Sequence, residues 1–559
     1  MKPQICLLGI QKFAKDKQVL KQLQEQLGDK FIKPSEIIKP KMKPFCFLQF
    51  SDEDQKNVIV KLIIKNFVKL IEDNPELKLR IGEVHNENAF EKQLEKKIKQ
   101  QKQNEDEVKQ FQEKHQNRDV IERKDNELAL QTAPLYQVKY EEQVEQKMAE
   151  LKKVIKKLRN QFIQKNGKEY APDWILDTNL IKLNDPITCD EQFRFNYRNK
   201  CEFTISYNSQ KEVCVGFNVG SVQKNNDSVE QPNTCPVTPA VAMEIANKFQ
   251  TYLQSSKFQP FNRQNGSGVW RMLSVRKSDR TKQLLISVSI NKDNLQQDEY
   301  AVVCDELMTL FSTSYGEFSL QGLLLMHSNK LGQDLASSAD DTKILFGNSY
   351  YQEIILDKKI NISYNAFSQN HTPQCDKLYQ VIIDLCKNKK ITKFLDLCAG
   401  SGTIGICVSD QIQDILAIEM NKSSCEDACE NYKLNNLQNC QIICSKVEDV
   451  IKKVAQDLKS FEGKQQLMAC LDPPRAGVLN NVIEAIRTCK GIDHIIYVSC
   501  SPPQVIDNLI QLCLPQCKKN KAPGFKLVNV TLVDMFPQTS HFEAVFYLER
   551  DYGILSELM

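Results

Sequence analysis

Apolar residues fall into distinct rhythms along this chain. Up to about residue 84, short apolar runs, "QICLLGI" (4–10), "KPFCFLQF" (43–50) and "LKLRIGEV" (77–84), alternate with segments of helical spacing. The helical segments are "KDKQVLKQLQEQLG" (15–28) and "SDEDQKNVIVKLI" (51–63), the second opening on a serine N-cap and an acidic first turn. This β-α-β-β-α-β order predicts a ferredoxin-like domain over 1–85. Residues 86–133 are rich in Lys, Gln, Glu and Asn and carry too little apolar surface to offset ordering, which predicts a charged linker. In 134–164 the positions Val144, Met148, Leu151, Val154, Ile155 and Leu158 make one apolar stripe with a basic opposite face, an amphipathic helix that packs on its own protein. Over 165–365, short alternating runs broken by Gly, Asn and Pro, with one helix near 238–254, predict an α+β or β-rich domain.

From 366 to 559 the rhythm becomes strand–helix–strand. "KFLDLCAG", "DILAIEM", "CQIICSK", "LMACLDPP" and "HIIYVSC" are short apolar strands separated mostly by helix-length segments. That is the pattern of a parallel sheet covered on both faces, an α/β Rossmann-like domain. Two late strands, "FKLVNVTLVDMF" and "HFEAVFYLER", are joined by a turn at "PQTS".

Composition narrows the class. A chain of 559 residues is too long for one core, and a net charge of +3 gives no global field for nucleic acid, so any basic surface is local. Twenty cysteines scattered through apolar runs, with no CxxC pair, read as reduced intracellular thiols. They argue against a zinc ribbon or an iron–sulfur cluster, and "ICLLGI" is too short to span a membrane.

Two places carry RNA-binding signals. Lys43, Phe45, Phe47 and Phe50 match the pattern by which sheet aromatics of an RNA-recognition motif (RRM) stack on bases, although Cys6 stands where the second aromatic belongs. A docking or structural domain is the alternative. In the central domain Arg194, Arg198 and Lys200 interleave with Phe193, Phe195 and Tyr197, which suits single-stranded or looped RNA, but equally an ordinary basic strand face.

The chemistry concentrates in the last domain. Gly400, Gly402 and Gly405 in "DLCAGSGTIGI" fit G-x-G-x-x-G, and Glu419 ends the next strand, where a carboxylate can hold ribose hydroxyls. NAD and S-adenosylmethionine (SAM) both suit that description. Asp396, placed to answer the cationic end of SAM, and the "DPPR" motif at 472–475 favour SAM. Asp472 stands at a strand's carboxyl end, while Arg475 replaces the aromatic that amino-group methyltransferases use. Cys500 ends the next strand, with Ser501 as a possible N-cap and Pro502 as an early helical residue, so helix N–H groups are expected to lower its pKa. A thiolate there could add to C6 of a pyrimidine and make C5 nucleophilic; a buried, inert strand-end thiol is the alternative. Removing the C5 proton needs a base, for which Glu543 and His541 compete.

Together "NAFSQNHTPQCDKLY", "DLCAGSGTIGI", "LDPPRAGVL", "YVSCSPPQ" and "DMFPQTSHFEAVFYLER" resemble the RNA uracil-C5 methyltransferase family, with "YRNKCEFTI" and "VGFNVG" extending the likeness through the central domain. The RRM-like start and the "PLYQVKYEEQVEQK" helix resemble the eukaryotic homologue A type that acts on tRNA. The resemblance implies SAM-dependent methylation of the T-loop uridine (position 54). Cys500 would be nucleophile and Glu543 proton acceptor; Gln369, Gly400, Gly402, Thr403, Glu419 and Asp472 would bind SAM; Arg475 and Phe367 would meet the substrate. Two departures stand out: Ser501 where the family has Asn, and Gln538 where it has His. The partner expected is tRNA, with no membrane, no metal and a monomeric state, in cytoplasm or nucleus. Methylation of other RNAs, a cytosine-C5 or amino methyltransferase, and a tRNA-folding chaperone are the competing readings.

Overall fold

The structure, a computed structural model, describes residues 4–8, 34–38, 45–52, 54–55 and 80–82 of an N-terminal unit (1–122). Of a second unit (123–559) it describes residues 127–219, 228–262, 265–328, 341–457, 467–489, 491–516 and 522–552.

The N-terminal unit holds a four-stranded antiparallel sheet of β1 (Gln4–Leu8), β2 (Glu36–Ile38), β3 (Phe45–Gln49) and β4 (Arg80–Gly82), in the order β2-β3-β1-β4. β2 lies in a stretch not singled out from the sequence. The helix start expected at Ser51 is capped one residue later, by Asp52, whose carboxylate accepts the Gln55 N–H at 2.8 Å. Phe50 is fully buried in this unit and therefore belongs to its core rather than to a base-stacking surface. The two predicted helices and the charged linker lie almost wholly outside the described residues.

In the second unit, α1 (Glu127–Thr132) precedes a long helix α2 (Tyr140–Asn166) that ends at Gly167. Of the predicted apolar stripe, Val144, Leu151, Val154, Ile155 and Leu158 are buried and Met148 is half-buried, and Phe162 extends the stripe. A short strand β5 (Lys182–Leu183) then joins the edge of the C-terminal sheet, so α2 and β5 are built into that domain rather than standing apart from it.

The central domain is a seven-stranded sheet in the order β12-β11-β10-β9-β6-β7-β8. Its strands are β6 (Lys200–Tyr207), β7 (Val213–Val219), β8 (Ser228–Glu230), β9 (Trp270–Ser278), β10 (Gln283–Ile290), β11 (Ser319–His327) and β12 (Thr342–Gly347). Helix α3 (Ala240–Ser255) matches the helix expected near 238–254, and a second helix, α4 (Gln297–Phe311), packs beside it in the same core. A hairpin of β13 (Tyr350–Ile355) and β14 (Lys358–Ser363) leads into the C-terminal domain.

There α5 (Thr372–Asn388), β15 (Lys393–Leu397), α6 (Thr403–Val408), β16 (Asp414–Glu419), α7 (Lys422–Leu434), β17 (Cys440–Cys444) and α8 (Val447–Asp457) follow one another. Next come β18 (Leu467–Leu471), α9 (Asn480–Thr488), β19 (Ile492–Ser499), α10 (Ile506–Cys513), β20 (Phe525–Val533) and β21 (Glu543–Arg550). The sheet order is β17-β16-β15-β18-β19-β21-β20-β5. Strands β15 to β19 are parallel, and β21 runs against both β19 and β20. One face packs on α2, α8, α9 and α10, the other on α5, α6 and α7. The order reverses between β15 and β18, and such a switch point opens a crevice at the carboxyl ends of the strands.

Candidate active site

The crevice begins with the turn after β15. Cys398, Gly400 and Gly402 take left-handed backbone angles, with φ of 64°, 56° and 77°. Gly402 is required twice over: its φ disfavours a side chain, and a Cβ there would lie 3.0 Å from the Tyr432 ring and hydroxyl. Glu419, at the end of β16, secures the turn by accepting the Gly400 N–H at 2.9 Å and the Asn421 N–H at 2.7 Å. Asp396 takes a different place from the one expected. It is fully buried beneath α6, accepts the Gly405 N–H at 3.1 Å, and is absent from the crevice wall. Burial pushes its pKa up to about 7.

A cavity of roughly 580 Å³, counting the space that opens to solvent, is lined by Gln369, Gly400, Thr403 and Asp472, together with Phe367 at its exposed rim. The central domain contributes Asn199, which sequence reasoning missed. Its Nδ2 donates to the Gln369 carbonyl at 2.8 Å and to Thr372 Oγ1 at 3.1 Å, tying the two domains across the cavity. Glu353 of β13 is a second missed carboxylate on this wall, accepting from Ser278 and Thr372 hydroxyls. Two carboxylates and no Lys or Arg line the cavity. An acceptor-rich wall of this kind suits a cation with hydroxyl donors and repels a pyrophosphate.

The "DPPRAG" loop turns through Gly477, whose φ is 74°. Asn508 of α10 pins the loop: it accepts the Val478 N–H at 3.1 Å and the Tyr497 hydroxyl at 2.9 Å, and donates to the Val478 carbonyl at 3.0 Å. A Cβ on Gly477 would meet Asn508 Oδ1 at 2.5 Å. Nothing in the sequence pattern marks Asn508, because its role exists only once α10 folds against the loop. Loss of water raises the pKa of Asp472 to about 6.

Cys500 follows β19 and is half-buried. The helix N-terminus expected beside it is displaced, since a 3-10 turn (Pro502–Gln504) intervenes before α10 and the Ser501 side chain makes no cap bond. The thiol pKa is raised, not lowered: burial dominates and the Glu543 charge adds to it, while the nearby Arg475 guanidinium pulls the other way. Glu543 begins β21, one pairing beyond Ser499–Ala544, and is buried with Oε2 unpartnered. Burial and the neighbouring Asp472 push its pKa well above the usual carboxylate range, and Arg475 opposes them. His541 is exposed at the mouth of a second pocket that it lines together with Cys500, Ser501, Phe542 and, from α2, Lys147, Lys153 and Val154. Partial loss of solvent against the pocket wall, then the charge of Arg475, lowers its pKa.

The interleaved patch of the central domain is largely committed internally. Arg194 stacks on Tyr140 at 3.7 Å, and Tyr197 is buried against His371 at 4.5 Å. Of its aromatics Phe195 remains exposed. No group of three His, Cys, Asp or Glu side chains able to hold a metal occurs among the described residues, and no helix there is long and apolar enough to cross a membrane.

Residues 319–551 match the profile of the tRNA (Uracil-5-)-methyltransferase family. The mouse tRNA (uracil-5-)-methyltransferase homolog A is 30% identical over 427 residues, covering 75% of this chain and 68% of that protein. The chain belongs to the tRNA (uracil-5-)-methyltransferase family. Homolog B from Pongo abelii is 29% identical over 427 residues, covering 76% of this chain and 87% of its own. The Pyrococcus abyssi tRNA (uracil-54, C5)-methyltransferase, solved in complex with S-adenosyl-L-homocysteine, is similar at 20% identity over 63% of this chain and 76% of that one, with a TM-score of 0.48. As a member of the family this chain is a methyltransferase enzyme. Gln369, Thr403 and Asp472 on one cavity, and Cys500, Arg475 and Glu543 beside it, all fall within the matched span.

Proposed function

We propose that this enzyme methylates C5 of a uridine in tRNA, the T-loop uridine at position 54, through a covalent bond from Cys500 to C6. The observation that carries the reading is the meeting of Cys500, Arg475, Glu543 and Asp472 at the carboxyl edge of one sheet, next to an acceptor-rich cavity. The cavity fits S-adenosylmethionine better than a dinucleotide: Gly400 and Thr403 of the glycine turn line it beside Asp472, Glu353 and Gln369, which suit the cationic part. Gly402 and Glu419, also expected to bind the cofactor, are absent from its wall, Glu419 instead holding the Gly400 N–H. When bound, that cofactor supplies an electrophilic methyl group.

The chain's own residues do the rest. Arg475 favours the Cys500 thiolate, whose sulfur bonds to C6 while the C5–C6 π pair moves toward the C4 carbonyl and leaves C5 nucleophilic. Once C5 carries the methyl group, Glu543 takes its proton. The freed pair restores the C5–C6 double bond and expels Cys500 as thiolate. A carboxylate with raised proton affinity is the stronger base once ionised, and Arg475 supports that ionisation. The uridine must leave its loop to reach this edge, and Phe367, 70% exposed at the cavity rim, is placed to pack on it. The N-terminal unit fits an RRM-like accessory domain; what supports that reading is the strand order β2-β3-β1-β4.

The test is a trap. A tRNA carrying 5-fluorouridine should form a denaturation-resistant adduct with the wild type and none with Cys500→Ala. An adduct that persists in Cys500→Ala refutes the assignment of the nucleophile. Mass spectrometry of nucleosides from ordinary tRNA should show 5-methyluridine; 5-methylcytidine instead would replace uridine as the target.

A further inference from the structure

The connection from β20 to β21, residues 534–542, delivers His541 and Glu543 to the site, and it is far from the simple turn expected at "PQTS". It is held by one face of α2. Lys147 Nζ lies 2.6 Å from Asp534 Oδ1, with side-chain exposures of 1% and 0%, and also donates to the Phe536 carbonyl at 3.1 Å. Tyr140 donates its hydroxyl to Asp534 Oδ2 at 2.7 Å. Gln143 and Gln538 engage reciprocally: the Gln538 N–H donates to Gln143 Oε1 at 3.0 Å, and Gln143 Nε2 donates to Gln538 Oε1 at 2.9 Å. The Leu135 N–H adds a bond to the Gln538 carbonyl at 2.9 Å. Tyr140, Gln143 and Lys147 sit three and four residues apart, so they line one face of the helix.

A buried lysine–carboxylate pair contributes little net stability, because desolvation offsets its attraction. What such a pair does give is a single geometry: shifting the loop would strand two charges in an apolar core. The loop so fixed enters β21 at Glu543. Lys147 and Val154 of α2 and His541 and Phe542 of the loop form walls of the pocket that contains Cys500.

We propose that Tyr140, Gln143 and Lys147 are positioning residues for the last half of the reaction. They hold residues 534–542 so that the Glu543 carboxylate faces the C5 proton of a pyrimidine bonded to Cys500. The inference rests on the proposed covalent route. It assigns α2 to one step of that route: deprotonation of C5 and release of Cys500, not the addition of sulfur or the transfer of the methyl group.

The two halves can be read separately in the full-length enzyme. Adduct formation on 5-fluorouridine tRNA stops before C5 deprotonation, because fluorine cannot leave as a cation, so it reports only the first half. Tritium release from tRNA made with [5-³H]uridine reports the second. For Tyr140→Phe, which keeps the ion pair and so protects folding, and for Gln143→Met, at a residue that does not line the Cys500 pocket, trapping should stay within about twofold of wild type. Tritium release should slow by about tenfold or more, as expected for a misplaced base. A methylated covalent enzyme–tRNA species should accumulate on ordinary tRNA. Equal loss of trapping and release would make α2 merely structural, and wild-type release rates in both variants would equally overturn the proposal. No trapping by the wild type would refute the covalent route itself, and this inference with it.

Discussion

Cys500 and Glu543 are separated by more than forty residues of chain and meet through strand pairing: β19 and β21 run antiparallel with Ser499 opposite Ala544, so the next position of each strand faces the other. On the proposed route, the thiol therefore sits beside the group that would later remove the proton its own addition makes labile. Glu543→Gln should leave Cys500 addition intact and block its release. The expected result is a covalent complex with unmodified tRNA, visible on a denaturing gel, with turnover lowered by about 10²–10⁴. Full turnover would move the base to His541.

The same carboxylate carries a stability signature. Burial raises the pKa of Glu543 in the folded state well above its unfolded value, so the folded enzyme binds that proton more tightly. Its contribution is fully present below the unfolded pKa and is lost as pH rises toward the folded one. A glutamine avoids the cost of ionisation. Glu543→Gln should thus melt higher than wild type at pH 8, with the difference shrinking toward pH 4.5. A variant less stable than wild type across that range would contradict the burial argument.

Arg475 is the cation that opposes these upward shifts, at both Cys500 and Glu543. On the proposed route both groups must lose a proton to act, so the single-turnover rate at saturating tRNA should climb with pH. Arg475→Gln should move that limb to more alkaline pH, as well as weaken substrate binding. A limb that stays in place would confine Arg475 to substrate contact.

How much of this was legible beforehand follows from the kind of signal each element leaves. Period-two patterning is strong in buried parallel strands. It places Met468 and Cys470, Ile496 and Val498, and Val545 and Tyr547 in one core cluster; Asp472 and Cys500 continue two of those alternations just past the strand ends, and Glu543 opens the third at the start of β21. The apolar stripe of α2 was equally plain. What lies on the same helix but off the stripe was not: Lys147 reads as surface charge until Asp534, 387 residues away, is folded against it. The expected lowering of the Cys500 pKa failed because burial and the Glu543 charge outweigh Arg475, and because a 3-10 turn at the two prolines separates the sulfur from the helix start expected to oppose them. Asp396 was misplaced because it lies within β15 rather than past its end: on the same face as Asp472, its side chain is covered by α6, where it accepts the Gly405 N–H, and does not reach the crevice. Gln538, a departure from the family pattern, proves to be matched by Gln143, whose amide satisfies both its backbone and its side chain.

Gly477 and Asn508 give the last prediction, since between them they couple the Asp472 loop to the helix that follows Cys500. Gly477→Ala should cost about 1–2 kcal/mol from its left-handed backbone alone. It must also displace Asn508, whose oxygen would lie 2.5 Å from the new carbon. Asn508→Ala removes the same tie from the other side, leaving the Val478 N–H and carbonyl without their partner. Because both substitutions break one link, their effects should overlap rather than add. Either alone should weaken S-adenosylhomocysteine binding and slow 5-fluorouridine adduct formation together, and the double variant should be little worse than the poorer single one. Isothermal titration and the trapping assay measure the two effects. If cofactor affinity falls while adduct formation holds, the loop and the helix act independently and the coupling is wrong.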